Sequence, residues 1–185
     1  MRHRTFVAIT PPREIKKKLA GVIEQLKKLN LPVKTTAAGN IHLTLKFLDS
    51  LSKEEIELVD GKLKELFVEE KKLILKLDSI KLFPSNKNAK VISANLADNL
   101  NLIRLEHKIR KSLEEFKFLP KENRRFHSHI TLARIIKPIS EDNSKKIVNI
   151  LISGSWQAES IELRESDLSG KIPHYSTLAS YRFKE

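Results

Sequence analysis

A histidine followed two residues later by a threonine occurs twice in this chain, each time inside an apolar run. The segment His42-Leu43-Thr44-Leu45 recurs as His129-Ile130-Thr131-Leu132. Because side chains alternate along a strand, each histidine would share one face with its threonine, while the apolar residues between them would face a core. One such pair is usually a surface feature without chemistry, but its duplication favours a functional site. We therefore predict that His42 and His129 are catalytic.

Two imidazoles are suited to cleaving a phosphodiester or opening a cyclic phosphate near neutral pH. A neutral imidazole can accept a proton from the attacking oxygen, and a protonated one can donate a proton to the leaving oxygen. Thr44 and Thr131 could donate hydrogen bonds to the phosphate oxygens on which negative charge accumulates. No Asp or Glu lies within two residues of either motif on the same strand face. The motifs therefore predict a site that uses neither a metal nor a cofactor.

The composition suggests an anionic partner and restricts the possible chemistry. The chain has 185 residues, with 35 Lys and Arg against 23 Asp and Glu, which gives a net charge of +12. It has no cysteine, so a disulfide, a thiolate zinc site and a cysteine nucleophile are excluded. No apolar run approaches the length of a membrane span, and we expect no signal peptide at the N-terminus. We expect one cytoplasmic domain, or two small lobes that share a core.

The hydrophobic pattern predicts strands and helices that alternate, with only about four helices. Some predicted strands are neighbours in the chain, which favours an α+β fold with antiparallel pairing over a parallel doubly wound sheet. A capping box at Ser52 and Glu55 predicts the start of the second helix. The predicted strands are Thr5–Ile9, Asn40–Leu48, Leu73–Leu82, Val91–Leu96, His129–Ile135, Ser160–Leu163 and Ser176–Phe183. The predicted helices are Ile15–Leu29, Ile56–Phe67, Leu102–Phe116 and Ser140–Leu151.

The two motifs and their surroundings resemble the 2H phosphoesterase superfamily, which is named for two His-x-Thr-x motifs. Within it, the chain is most similar to the RNA 2′,3′-cyclic phosphodiesterases, also called 2′-5′ RNA ligases. The similarity covers nearly the whole chain in scattered short stretches that keep the same order. These stretches are Arg4–Ile9, Asn40–Leu48, Leu82–Pro84, Val91–Ala94, Phe126–Arg134, Glu165–Leu168 and Tyr175–Ala179.

The resemblance implies a bilobal α+β fold, in which two pseudo-symmetric lobes of antiparallel sheet carry flanking helices and enclose an active-site cleft. Residues 1–185 would form this single domain through an internal duplication. Members of the family open a 2′,3′-cyclic phosphate to leave a 2′-phosphate, and some join RNA ends through a 2′-5′ linkage without ATP. The implied partner is RNA with a cyclic phosphate end, for example a tRNA half. We expect a monomer that contacts no membrane.

The resemblance also assigns substrate-binding roles to two residues beyond the motifs. Phe47 would stack on a nucleobase, and Arg134 would contact a phosphate or a base. Strict alternation, however, places both side chains on the strand face opposite the histidines. A bulge or a strand end must turn them if the assignment is right. Otherwise they are a core phenylalanine and a surface arginine.

The motifs leave the proton transfers and the substrate open. We take as a hypothesis that His42 is the acid to the departing 3′-oxygen and that His129 is the base to water, although pseudo-symmetry allows the reverse. The physiological reaction could instead be 2′-5′ ligation. Two further alternatives are a non-catalytic RNA-binding module and a 2H enzyme for another cyclic phosphate or for 2′-5′ oligoadenylate.

Overall fold

A curled antiparallel sheet with four helices packed against it forms the part of the chain that the structure describes. The structure is a computed structural model and describes residues 2–121, 125–170 and 173–184. The strands are β1 His3–Ile9, β2 Val33–Thr35, β3 Leu43–Leu51, β4 Leu73–Phe83, β5 Val91–Leu96, β6 His129–Ile135, β7 Gly154–Ala158, β8 Ser160–Asp167 and β9 His174–Arg182. The helices are α1 Arg13–Lys28, α2 Lys53–Phe67, α3 Leu100–Ser112 and α4 Glu141–Val148.

The sheet has two halves that meet at the motif strands. The strand order is β7-β4-β5-β6-β3-β1-β8-β9, with β2 paired to the side of β6, and the pairings are antiparallel. Strands β3 and β6 pair through Leu43 and Ile130. We call β3, β1, β8 and β9 the first lobe, and β6, β5, β4, β7 and β2 the second lobe. This arrangement confirms the predicted α+β fold with antiparallel pairing.

Each lobe buries one sheet face under helices and leaves its other face, which we call the open face, toward the motifs. Helices α2 and α3 pack against β9 and β3 of the first lobe, whereas α1 and α4 pack against β6, β7 and β4 of the second. Apolar side chains that alternate along the strands fill the space beneath the helices, as Leu75, Leu77, Ile80 and Leu82 do on β4. The helix that follows β1 therefore covers the second lobe, and the helix that follows β5 covers the first.

The order of elements repeats along the chain. When β2 and β4 are set aside, the series β1, α1, β3 and α2 is followed by β5, α3, β6 and α4, and in each series the first strand pairs with the motif strand. Such a repeat is what an internal duplication over residues 1–185 would produce. The duplication itself stays a prediction.

The helix starts follow the expected local chemistry. The Ser52 side chain accepts a hydrogen bond from the Glu55 backbone, and the Glu55 carboxylate accepts one from the Ser52 backbone, which confirms the capping box. Asn99 and Ser140 cap α3 and α4 through side-chain oxygens that accept from backbone N–H groups. No helix in the described ranges is long and apolar enough to cross a membrane.

Several predicted boundaries were wrong. The first motif strand begins at Leu43 rather than Asn40, because residues 38–40 form a turn of 3-10 helix whose backbone bonds are local. Helix α3 ends at Ser112, short of the predicted Phe116. Strands β2 and β7 were not predicted. Both are short, and β2 reads Val-Lys-Thr, which offers too few residues for alternation to show.

Candidate active site

The two His-x-Thr motifs come together where the lobes meet. Leu43 and Ile130 are paired across β3 and β6. Because side chains alternate outward from this buried pair, His42, Thr44, His129 and Thr131 belong to the face opposite Leu43 and Ile130. The charge of His129 lowers the pKa of His42, as expected for two rings on one face where the lobes meet.

Each imidazole is oriented by a hydrogen bond to the backbone carbonyl two residues earlier in the chain. His42 Nδ1 lies 2.6 Å from the carbonyl oxygen of Asn40, and His129 Nδ1 lies 2.8 Å from that of His127. A carbonyl can only accept, so Nδ1 of each ring carries the hydrogen and donates it. This fixes the tautomer of a neutral ring and leaves Nε2 as the atom that can exchange a proton with substrate.

The surroundings of His42 are aromatic. The Phe6 ring centroid lies 4.8 Å from that of His42, and the Tyr175 ring meets it edge-on at 5.3 Å. Phe6 also contacts the edge of Tyr175 at 5.2 Å. The aromatic rings exclude water from one side of the imidazole, which disfavours its protonated form.

Burial and nearby positive charges lower the pKa of His42, so that the ring is neutral at neutral pH. Burial lowers the pKa of His42 to about 4, and the positive charges of Arg164, His129 and Lys16 act in the same direction. The hydrogen bond to the Asn40 carbonyl opposes them. At neutral pH the ring can therefore accept a proton but carries none to give from Nε2.

Arg164 is a buried cation beside this cluster. It is 6% exposed, and its guanidinium carbon lies 6.0 Å from the Phe6 ring centre and 5.7 Å from that of Tyr175. Its Nε lies 3.5 Å from Glu162 Oε2, and its Nη2 donates a long hydrogen bond of 3.5 Å to the Tyr175 carbonyl. Among the residues that the structure describes, its Nε and Nη1 have no hydrogen-bond partner. Glu162 is in turn held by the Thr10 hydroxyl, which donates to it at 2.9 Å.

A bulge follows the threonine of each motif. In β3, Ala8 pairs with Thr44 while Val7 pairs with Lys46, so Leu45 is the extra residue. In β6, Ser93 pairs with Thr131 while Ile92 pairs with Ala133, so Leu132 is the extra residue. The bulges occupy equivalent positions, and both leave two successive buried residues in the strand.

The bulges turn Phe47 and Arg134 to the open face. Phe47 pairs with Phe6, which shares a face with Ala8 and therefore with Thr44. Arg134 pairs with Val91, which shares a face with Ser93 and therefore with Thr131. The Phe47 ring lies 6.3 Å from the Phe6 ring and is 52% exposed. Both residues occupy the fifth position after their histidine, so the lobes place an aromatic ring and a guanidinium at equivalent points.

The threonine hydroxyls are available to substrate. Thr44 and Thr131 are half-buried. Thr36 donates a hydrogen bond to the Thr131 carbonyl at 3.0 Å, but neither motif hydroxyl bonds to protein within the described ranges. No group of three or more His, Cys, Asp or Glu in those ranges could hold a metal ion.

Four neighbours of the site were not predicted from the sequence, namely Arg164, Glu162, Tyr175 and Phe6. Phe6 and Tyr175 belong to stretches that carry the family resemblance, but their contact with His42 needed the strand order. Arg164 and Glu162 follow an ordinary alternating pattern on β8 and gave no signal of their own.

The chain is similar in sequence to known phosphoesterases. Residues 9–93 match the family model described as LigT like Phosphoesterase. An RNA 2′,3′-cyclic phosphodiesterase of Methanocaldococcus jannaschii is 28% identical over 184 residues, which cover 96% of this chain and 99% of the relative.

Solved structures share the whole fold. A crystal structure of a Thermus thermophilus protein superposes with a TM-score of 0.86 at 25% identity, covering 99% of this chain and 98% of that one. The crystal structure of Escherichia coli LigT complexed with 3′-AMP superposes with a TM-score of 0.81 at 23% identity, covering 100% of both chains. At that identity the likeness to the E. coli protein extends to the fold alone.

Proposed function

We propose that the chain is a LigT-like 2H phosphoesterase that hydrolyses RNA 2′,3′-cyclic phosphate ends to 2′-phosphates by two-histidine acid–base catalysis. The observation that carries the proposal is the pairing of Leu43 with Ile130. This pairing supports a shared face for both motifs, with both Nε2 atoms available. The substrate class is supported by the curated relatives, several of which bear the name RNA 2′,3′-cyclic phosphodiesterase.

The environment of His42 favours the base role for this residue. In this scheme Nε2 of His42 removes a proton from water, and the water oxygen attacks phosphorus. Nε2 of protonated His129 gives its proton to the 3′-oxygen as the bond between phosphorus and that oxygen breaks. The products are a 2′-phosphate and a 3′-hydroxyl. The assignment reverses our initial hypothesis, because a buried ring with a pKa of about 4 holds no proton to donate at neutral pH.

Four other side chains would bind the substrate in this proposal. Thr44 and Thr131 donate hydrogen bonds to the two non-bridging oxygens, one from each lobe. Phe47, exposed at the edge of the site, stacks on the terminal base. Arg134, at the equivalent point of the other lobe, contacts a phosphate.

In the cell, RNA fragments such as tRNA halves would be the substrates. The net charge of +12 would hold their backbones electrostatically. The protein would act as a cytoplasmic monomer. Light scattering during gel filtration tests the oligomeric state.

The test is turnover of a short RNA that ends in a 2′,3′-cyclic phosphate, with the product identified by phosphorus NMR. We expect a 2′-phosphate, and no turnover by a variant in which both His42 and His129 are alanine. RNA binding without turnover would instead show a binding module. Faster turnover of 2′-5′ oligoadenylate or of ADP-ribose cyclic phosphate would identify a different substrate.

The reverse reaction is tested in the same assay. A site that breaks the phosphorus–oxygen bond by proton transfer can also form it, so a 5′-hydroxyl RNA supplied with the cyclic end would give a 2′-5′ linkage without ATP. Comparison of the two rates at the same RNA concentration shows which reaction the enzyme favours.

A further inference from the structure

The open face of the second lobe continues well beyond the two histidines. Strand register places Phe83 opposite Val91, and Val91 opposite Arg134. Side chains directly opposite each other in antiparallel strands project from the same face. Phe83 therefore lies on the face that carries His129 and Thr131, two strands away from Arg134.

Phe83 is unusual because it is a large aromatic residue exposed on a sheet. Its side chain is 54% exposed, whereas its neighbour Leu82 is 6% exposed on the buried face. Lys81 is also exposed on the open face. It pairs with Ser93 on β5, and Ser93 pairs with Thr131 on β6. An aromatic ring and a cation thus stand side by side at the edge of the site.

The charges of this face are mainly positive. The register places Lys76 on the same strand face as Phe83, and Lys34 opposite Arg134 on β2. Asp78, the extra residue of a bulge in β4, is an acidic residue nearby, and it accepts a hydrogen bond from Ser79. On the first lobe, by contrast, the Arg164 charge is buried and lies against Glu162.

The spacing suits a single strand of nucleic acid. Two strand intervals separate Phe83 from Arg134, which is roughly 10 Å. Proteins that bind single strands combine cations along the backbone with aromatic rings on which bases stack. An RNA whose cyclic end lies between His42 and His129 must leave the site, and the row through Arg134 and Phe83 offers it both kinds of contact.

We propose that this open face is a binding track for the RNA strand that precedes the reacting end, with Phe83 stacking on an upstream base and Lys81 contacting the backbone. The inference rests on the proposed function, since that function puts the RNA end between the motifs. It predicts that the enzyme prefers an oligonucleotide to a cyclic mononucleotide, because the mononucleotide reaches neither residue.

The test compares kcat/KM for a 2′,3′-cyclic mononucleotide and for an oligoribonucleotide that ends in a 2′,3′-cyclic phosphate. For Phe83→Ala we expect kcat/KM on the oligonucleotide to fall about tenfold, since base stacking contributes about 1–3 kcal/mol per base. Turnover of the mononucleotide should change less than about twofold. Leu58→Ala is the matched control, because Leu58 is also 54% exposed but lies on α2, away from the open face. If Phe83→Ala lowered kcat/KM equally for both substrates, or for neither, the proposed binding track would be wrong.

A binding measurement separates the track from the chemistry. Anisotropy of a labelled oligoribonucleotide with a 2′-phosphate end reports affinity without turnover. Lys81→Gln should lower the salt slope of binding by about 0.7, the value expected for one contact to a single strand, and the control Lys53→Gln on α2 should not. Absence of turnover with normal binding would remove the proposed function, whereas normal turnover with an unchanged slope would remove the track.

Discussion

The two motif strands have matching backbones but different neighbours. Strands β3 and β6 share the His-x-Thr pattern, the same bulge and the same hydrogen bond from Nδ1 to the carbonyl two residues earlier. His42, however, lies against Phe6 and Tyr175, beside the buried Arg164. His129 pairs with Asn95 on β5, and Asn95 pairs with Ser79 on β4, so its cross-strand neighbours are polar. In the proposed mechanism the matching strands supply two similarly held imidazoles, and their different neighbours decide which one is the base.

Removing either histidine is the strongest test of this comparison. His42→Ala and His129→Ala should each lower kcat by about 10²–10⁴-fold, the range that acid–base catalysis contributes. A phosphodiester with a p-nitrophenolate leaving group needs no acid, so on this substrate His129→Ala should recover activity while His42→Ala should not. The exposed His107→Ala is the control. Recovery by His42→Ala instead would exchange the two roles.

The threonines test whether the asymmetry extends to the phosphate. Thr44→Val and Thr131→Val keep the shape of the side chain and remove one donor each. Each should lower kcat by about 10²-fold, because one donor to a developing oxyanion contributes that much. Similar losses of kcat would show that the lobes differ only in the surroundings of their histidines. A difference of about tenfold in kcat between the variants would mean that the two threonines stabilise the negative charge on the phosphate unequally.

Substitutions of the equivalent residues Phe47 and Arg134 should have different effects on the salt dependence of RNA binding. Phe47→Leu should lower kcat/KM for a cyclic-ended RNA about tenfold by loss of stacking, with little change in its salt dependence. Arg134→Gln should also weaken RNA binding and lower its salt slope by about 0.7. Titration of RNA binding against salt distinguishes them. Identical slopes for the two variants would show that Arg134 does not contact the backbone.

The smallest expected effect is a pH shift caused by Arg164. Its charge lowers the pKa of His42, so Arg164→Gln should raise that pKa. Because the base must be neutral, the acidic limb of the pH–rate profile should move to higher pH, with a several-fold loss near about pH 5 and little loss at about pH 8. NMR titration of the His42 ring measures the shift independently of activity.

The groups around His42 define the controls for that experiment. Arg164→Lys keeps the charge and should keep the acidic limb in place. Glu162 loses its partner in Arg164→Gln, and its negative charge would raise the pKa of His42 further, so the double variant with Glu162→Gln separates the two effects. The charges of Lys16 and His129 also lower the pKa of His42, and both residues remain in all variants. An unchanged limb in Arg164→Gln would mean that the Arg164 charge has no measurable influence on the base.

Local patterns were enough to predict much of the fold. Apolar alternation located β4 and β5, and the capping box located α2, because both features depend on residues close in the chain. The meeting of His42 and His129 was inferred from the repeat alone. The pairing of Leu43 with Ile130, which brings them together, joins residues 87 positions apart (130 − 43) and is invisible to any local rule.

The site residues that could not be predicted depend on sheet order and register. A bulge at Leu45 or Leu132 has no sequence signature here, since both are ordinary core leucines. Without the bulges, strict alternation put Phe47 and Arg134 on the wrong face. Arg164 reached His42 only through the order β3-β1-β8, which lays Phe6 between them.

The crossing of α1 and α3 to the opposite lobe has a mechanical consequence. Each lobe is covered by a helix whose preceding strand belongs to the other lobe, and the buried apolar side chains of both lobes form one cluster. Separation of the lobes would therefore expose apolar surface that they share. Trp156, the single tryptophan, is buried in β7 of the second lobe, and its fluorescence should change at the same denaturant concentration as the circular dichroism of the whole chain. Two separate transitions would show instead that the lobes unfold independently.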